Sequence, residues 1–250
     1  MDRHVVLDGI PIDRRTEAEI VAYVRDSLDR GQGGRIVTPN IDILRLARRN
    51  PDLRAQLADA DLVVADGTPL LWASRLARAP LPERVAGSSL VWSLAAALAA
   101  DGRSLYLLGG APAFFGRVEG AHRAARRLVR AYPGLRIAGH ASPRFGFYRD
   151  RATLDAICRE VIEAKPDVVY LGLGAAGQER LIDRLRGDLP GTWLLGCGAA
   201  IDCLAGDQVR APEWMRRSRL AWAHRLADRY HGHDAPYALG LLVRAAISRQ

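Results

Sequence analysis

Arg35-Ile36-Val37-Thr38-Pro39-Asn40 and, after a helical interval, Leu62-Val63-Val64-Ala65-Asp66-Gly67 decide how this chain is read. Each is a short apolar run, the signature of a buried strand, that breaks at once into small polar, turn-forming residues. In an open α/β sheet the carboxyl ends of parallel strands face the ligand crevice. The repeated layout therefore places Thr38, Asn40 and Asp66 together at one rim.

Outward from this stretch, strands and helices alternate. Val5 to Ile12 reads as a hairpin turning at Asp8-Gly9, and Thr16 with Glu19 has capping-box spacing for the helix that follows. Further helices are expected over Ile41–Asn50, Leu53–Ala58, Leu70–Leu76, Ser89–Ala100, Phe114–Ala131, Thr153–Ala164 and Gln178–Leu185. Strands are expected at Leu105–Leu108, Leu135–Gly139, Asp167–Leu171 and Thr192–Leu195. Three of these run into glycine: Gly109-Gly110, Gly172-Leu173-Gly174 and Gly196-Cys197-Gly198. The alternation predicts an α/β fold with a mostly parallel, doubly wound sheet over 1–205, followed by a small basic helical appendage over 206–250.

The chain has 250 residues and a formal charge of +8, and Lys165 is its only lysine. Such a balance suits an anionic partner such as a nucleotide phosphate or an acidic bilayer. Cys158, Cys197 and Cys203 are odd in number and lack CxxC spacing, which argues against a disulfide framework or a zinc site and fits a reducing cytoplasm. The amino terminus lacks the apolar core of a signal peptide, and Leu90–Ala100 is far shorter than the ~20 residues that span a bilayer. Any membrane contact would be peripheral. The segment beyond Arg210 interleaves Trp214, Trp222 and Leu226 with arginines, as an interfacial helix requires, or as a helix pair packing its tryptophans on the core would show.

Other constellations carry less. Asp59-Ala60-Asp61 is a DxD, but it precedes a strand and so lies at the wrong end for a metal at the rim. Gly172-Leu173-Gly174-Ala175-Ala176-Gly177 is a literal GxGxxG between strand and helix, which nominates a dinucleotide oxidoreductase. No acid ends the next strand, however, and Asp202 is the first carboxylate beyond it. The glycines could instead bring backbone amides to a phosphate. His231-Gly232-His233-Asp234 has too few ligands for a metal site and reads as a turn. Asp66 is the candidate general base, with helix capping as its alternative role.

Taken together, the segments resemble the WecG/TagA/CpsF family of bacterial glycosyltransferases. Thr38-Pro39-Asn40, Ala65-Asp66-Gly67, Pro82-Glu83-Arg84-Val85-Ala86-Gly87, Tyr106-Leu107-Leu108-Gly109-Gly110, Tyr132-Pro133-Gly134, Gly172-Leu173-Gly174-Ala175 with Gln178-Glu179, and Arg210-Ala211-Pro212 follow the family's order and spacing. The resemblance implies a Rossmann-like catalytic domain and inverting transfer of a sugar from a UDP-sugar to a polyprenyl-diphosphate-linked saccharide at the inner face of the cell membrane. The sugar would be of N-acetylmannosamine, uronic acid or glucose type, and no cofactor, metal or nucleic acid is expected.

It also implies residue roles: Asp66 as base, with Thr38, Asn40, Arg84 and Gln178 at the substrates, to which the glycine-ended strands add Gly109, Gly110, Gly172 and Gly174, and the first carboxylate beyond them adds Asp202, as substrate-binding candidates. The appendage would dock on the membrane and complete the donor site, its Arg225 and Arg229 meeting diphosphate groups. The chain departs from the family where GAPKQE becomes Gly174-Ala175-Ala176-Gly177-Gln178-Glu179 and where LEW becomes Leu220-Ala221-Trp222. A binding module without catalysis is the non-enzyme alternative, and the oligomeric state, a homo-oligomer included, is left open.

Overall fold

In a computed structural model, which describes residues 3–114, 116–207 and 234–247, the apolar runs form strands and the helical patterns form helices. A hairpin of β1 (His4–Leu7) and β2 (Ile10–Asp13) stands apart as its own two-stranded sheet. The main sheet has six strands in the order β4-β3-β8-β7-β5-β6. These are β3 (Gly34–Val37), β4 (Leu62–Val63), β5 (Ser104–Gly109), β6 (Arg136–Ala141), β7 (Val168–Gly172) and β8 (Trp193–Gly196). β5 pairs in parallel with β6 and β7, and β7 with β8, so the α/β class and parallel sheet expected from the alternation are the observed ones.

The chain forms two compact units, divided within β3. One gathers the described residues of 1–17, 37–86 and 210–250. It holds the hairpin, α2 (Ile41–Ala47), α3 (Pro51–Ala58), β4, α4 (Thr68–Leu76) and α10 (Asp234–Ile247). Its core is a cluster of Val5, Leu7, Leu44, Leu57, Val63, Leu70 and Leu241, among others. The second unit gathers the described residues of 18–36 and 87–209. It holds nearly all of α1 (Glu17–Asp29), then α5 (Gly87–Ala100), β5, α6 (Gly120–Ala131), β6, α7 (Arg151–Ala164), β7, α8 (Ala175–Asp188), β8 and α9 (Ala200–Ala205). Its core includes Tyr106, Leu108, Val161, Val169, Leu171, Leu181 and Leu194.

Some boundaries differ from expectation for local reasons. The helix expected over Ile41–Asn50 stops at Ala47, because Asn50 turns out to cap α3: its Oδ1 accepts from the Asp52 and Leu53 amides at 3.1 and 3.2 Å, with Pro51 in the first turn. The helix expected from Phe114 begins at Gly120, since Phe114 and Arg117 exchange backbone hydrogen bonds in a tight turn. The helix expected from Gln178 begins three residues earlier, at Ala175, straight after the positive-φ Gly174. The apolar run at 62–65 is buried throughout, but only Leu62–Val63 is strand. Asp234, read as part of a turn, opens α10. Trp214, Trp222, Arg225, Arg229 and His231–His233 lie outside the described residues.

Among the described residues no helix is long and apolar enough to cross a membrane. α10 is fixed instead to the amino-terminal hairpin of its own unit. Arg244 grips the Asp8 carboxylate with two bonds, Nε to Oδ1 at 2.7 Å and a terminal nitrogen to Oδ2 at 2.8 Å, and the Tyr237 hydroxyl donates to the same carboxylate. Burial alone would push the Asp8 carboxyl up, but the bonds from Arg244 and Tyr237 outweigh it and hold the group below its ordinary range.

The sign of the pH dependence follows. A depressed folded-state pKa adds stability above the unfolded value of about 3.9, and that increment is lost as pH falls through the folded one. Asp8→Asn is therefore expected to lower stability by about 1–3 kcal/mol at neutral pH. In denaturant melts across pH, the gap from the wild type should close below about pH 4. A gap that stayed constant with pH would show that the charge on Asp8 is not what holds α10.

Candidate active site

In the first unit three chain segments are lashed together by backbone hydrogen bonds just past the strand ends. The Val64 amide donates to Val37 O, the Asp66 amide to Pro39 O and the Val85 amide to Ala65 O, each at 3.0 Å. Val37, Val64, Ala65, Val85 and Ala86 are buried, whereas Thr38, Asn40, Asp66 and Arg84 are half-buried. An apolar strip thus carries four polar side chains along a partly accessible edge. These are the residues that the strand-end reading and the family resemblance place at one rim.

Each is held by its local chemistry. Asn40 is extended and caps α2, its Oδ1 accepting from the Ile43 amide at 3.0 Å. The cap uses only the oxygen, so the two N–H donors of the amide are directed elsewhere. Asp66 precedes Gly67, whose φ of 152° opens α4 and which itself occupies the N-cap position. Arg84 stands between two anchored neighbours, since the Glu83 carboxylate accepts from the Glu17 amide at 2.6 Å and Val85 is tied to Ala65. Asp59 closes α3 and Asp61 precedes β4, so the DxD sits at the other end of this strand from Asp66.

The second unit builds its rim differently, by stripping side chains from neighbouring strand ends. Gly109 and Gly172 are register partners in β5 and β7. A Cβ on Gly109 would stand 2.3 Å from Gly172 O, and one on Gly172 would stand 2.8 Å from Gly198 O. A Cβ on Gly196 would meet Gln178 Nε2 at 2.2 Å, so the Gln178 side chain lies directly on the end of β8. Glycine at these positions lets the neighbouring backbone and the Gln178 side chain pack where a Cβ would stand. The third glycine of the apparent GxGxxG has another purpose. A Cβ on Gly177 would press on the Phe147 and Tyr148 rings at 3.1 Å, so this residue serves the packing of α8 rather than a phosphate. The next strand, β8, ends at Gly196 and not at an acid, which removes the second element of a dinucleotide site.

Asp202 lies half-buried on α9. Burial, and then the Asp207 carboxylate, push its carboxyl up, against an opposing pull from Arg123. Arg123 itself is committed to Asp207 and to the Ala205 carbonyl, at 2.8 and 2.9 Å. Cys197 is fully buried, points its thiol at Leu171 O, and is pushed up to about 12 by burial, which rules it out as a nucleophile near neutral pH. Among the described residues no group of three or more His, Cys, Asp or Glu side chains is placed to hold a metal ion.

Sequence reasoning missed a polar chain beside Gly109, in which Glu119, His140 and Ser142 join the start of α6 to the end of β6. No periodic or local motif marks it, because its partners come from separate elements. Arg225 and Arg229 lie outside the described residues.

A family model described as "Glycosyl transferase WecG/TagA/CpsF family" matches residues 5–245. A protein of Bacillus spizizenii named N-acetylglucosaminyldiphosphoundecaprenol N-acetyl-beta-D-mannosaminyltransferase is 30% identical over 199 residues, 80% of this chain and 73% of the relative. Proteins of the same name from Bacillus subtilis and Staphylococcus aureus are 28% and 26% identical, covering 88% and 87% of this chain and 82% of each relative.

The environment of Asp202 generates a prediction. An acid whose folded-state pKa is raised costs stability once ionised, so the penalty is present at neutral pH and fades as pH falls toward the unfolded carboxylate value. Asp202→Asn is expected to raise the thermal midpoint at pH 7 and to lose that advantage in acid. A lowered midpoint at pH 7 would show that the carboxylate is structural.

Proposed function

Because the chain belongs to the WecG/TagA/CpsF glycosyltransferase family, we propose that it moves a sugar of N-acetylmannosamine type from a UDP-linked donor to a polyprenyl-diphosphate-linked saccharide. The names of the relatives support the sugar class and the lipid-linked acceptor. The observation that carries the reading is the lashing of Thr38-Pro39-Asn40, Asp66 and Arg84 into one edge by the Asp66-to-Pro39 and Val85-to-Ala65 hydrogen bonds.

In this reading Asp66 accepts the proton of the acceptor hydroxyl as its oxygen attacks the anomeric carbon. The bond from that carbon to the donor diphosphate breaks on the opposite face, UDP departs, and the configuration inverts. Negative charge grows on the leaving diphosphate, and arginine is suited to meet it through paired charge-assisted hydrogen bonds. Arg84 would take that task, with Arg225 and Arg229 as the further candidates by family position. Thr38 and the Asn40 amide supply neutral hydrogen bonds that orient sugar hydroxyls. Gly109, Gly110, Gly172, Gly174, Gln178 and Asp202 contribute to donor binding. The acceptor is lipid-borne, and the basic, tryptophan-bearing segment beyond Arg210 would hold the protein at the inner membrane surface.

Turnover read as UDP release with a lipid-linked acceptor tests the assignment. Asp66→Asn is expected to lower kcat by about 10²–10⁴-fold while the folded variant still binds UDP. Near-normal turnover by that variant would remove Asp66 from the chemistry.

A further inference from the structure

Strand β6 and helix α6 meet at side chains that the transfer chemistry leaves unused. The Glu119 carboxylate, which can only accept when ionised, takes two hydrogen bonds from the end of β6. His140 Nδ1 stands 2.6 Å from Oε1, and the Ser142 amide donates to Oε2 at 3.3 Å. The Ser142 hydroxyl then works in both directions, donating to the Gly109 carbonyl at 2.6 Å and accepting from the Ala121 amide at 2.9 Å. With its Nδ1 proton committed to Glu119, His140 turns Nε2 toward His122 Nδ1, 3.1 Å away, which prolongs the chain along α6.

The arrangement solves a problem set by the sequence. Gly109 and Gly110 take φ values of 136° and 76°, which glycine permits but does not enforce. Glu119 occupies the N-cap position of α6 yet gives the helix no side-chain cap. Its carboxylate holds β6 instead, and Ser142 caps α6 from that neighbouring strand. The Gly120 amide is likewise taken, by Ala111 O at 2.7 Å. The turn that leaves β5 is therefore pinned from outside, at Gly109 O by Ser142 and at Ala111 O by the start of α6. Because both first amides of α6 are engaged, the helix start frames this turn and does not itself cradle a phosphate.

We propose that Ser142, Glu119 and His140 are positioning residues for the donor, holding the Gly109–Gly110 turn in the shape that receives its nucleotide. The inference rests on the reading of Gly109 and Gly110 as donor-binding. A glycine turn that must be ordered when the ligand arrives lowers affinity, and a turn ordered beforehand avoids that cost. The network should thus govern donor binding and leave the step at Asp66 untouched.

Steady-state kinetics on the full chain, with a panel of UDP-sugars and a lipid-linked acceptor, separates the outcomes when UDP is titrated calorimetrically in parallel. Ser142→Ala is expected to raise donor KM and UDP Kd about three- to tenfold with kcat unchanged, the effect of losing one or two neutral hydrogen bonds. Ser142→Thr, which keeps the hydroxyl, should return both to wild-type values. Glu119→Gln, close in size, should move the same two quantities in the same direction and carries the test if Ser142→Ala fails to fold. Wild-type constants in both variants, or a loss confined to kcat, would overturn the inference and leave the donor reading standing. A wild-type chain that binds no UDP and turns over no member of the panel would overturn the donor reading itself.

Discussion

The hydrogen bond from the Asp66 amide to the Pro39 carbonyl is the constraint on which the polar edge of the first unit depends. Without it, Thr38-Pro39-Asn40 and Asp66-Gly67 would be two separate loops. With it, and with Val64 tied to Val37 and Val85 to Ala65, the segments become an extension of the β3–β4 pairing past the point where regular strand ends. The apolar residues between them are buried, so the polar side chains have one side left to occupy. A carboxylate at this edge would need such fixed placement to act as a base, because proton transfer depends on distance before it depends on acidity.

The two units finish their strands by opposite means. In the first, polar groups are set on a rigid apolar strip. In the second, side chains are removed: at Gly109 and Gly172 the carbonyls of Gly172 and Gly198 stand so close that any Cβ would collide. Bare backbone lets neighbouring strand ends pack closely without losing side-chain entropy. Its weakness is conformational freedom at the glycine turn, which the bonds from Ser142 and the start of α6 restrict.

Much of this was legible in the sequence because the signals were local. Apolar runs that stop at Thr38-Pro39-Asn40 and at Asp66-Gly67 marked strand ends, and strand ends in a parallel sheet imply a shared rim. What local pattern cannot reveal is which of several uses a residue serves. Asn40, read as a site residue, is also a helix cap, and Asn50, read as the end of one helix, caps the next. Gly177 completed a phosphate-binding pattern but is required by two aromatic rings from another element. The start of α6 was misplaced because Arg117 and Phe114 close a turn whose residues also suit a helix. The link from Asp8 to Arg244 spans nearly the whole chain, and no window of sequence contains both of its ends.

The central claim is that the strand ends at 38–40 and 66–67 and the connection at 84–86 act as one binding edge. Amide hydrogen exchange of the full chain, with and without UDP and the lipid-linked acceptor, tests it most directly. Coordinate slowing of exchange in all three segments when both substrates are present is the predicted result. Protection at one segment with the other two unchanged would contradict it.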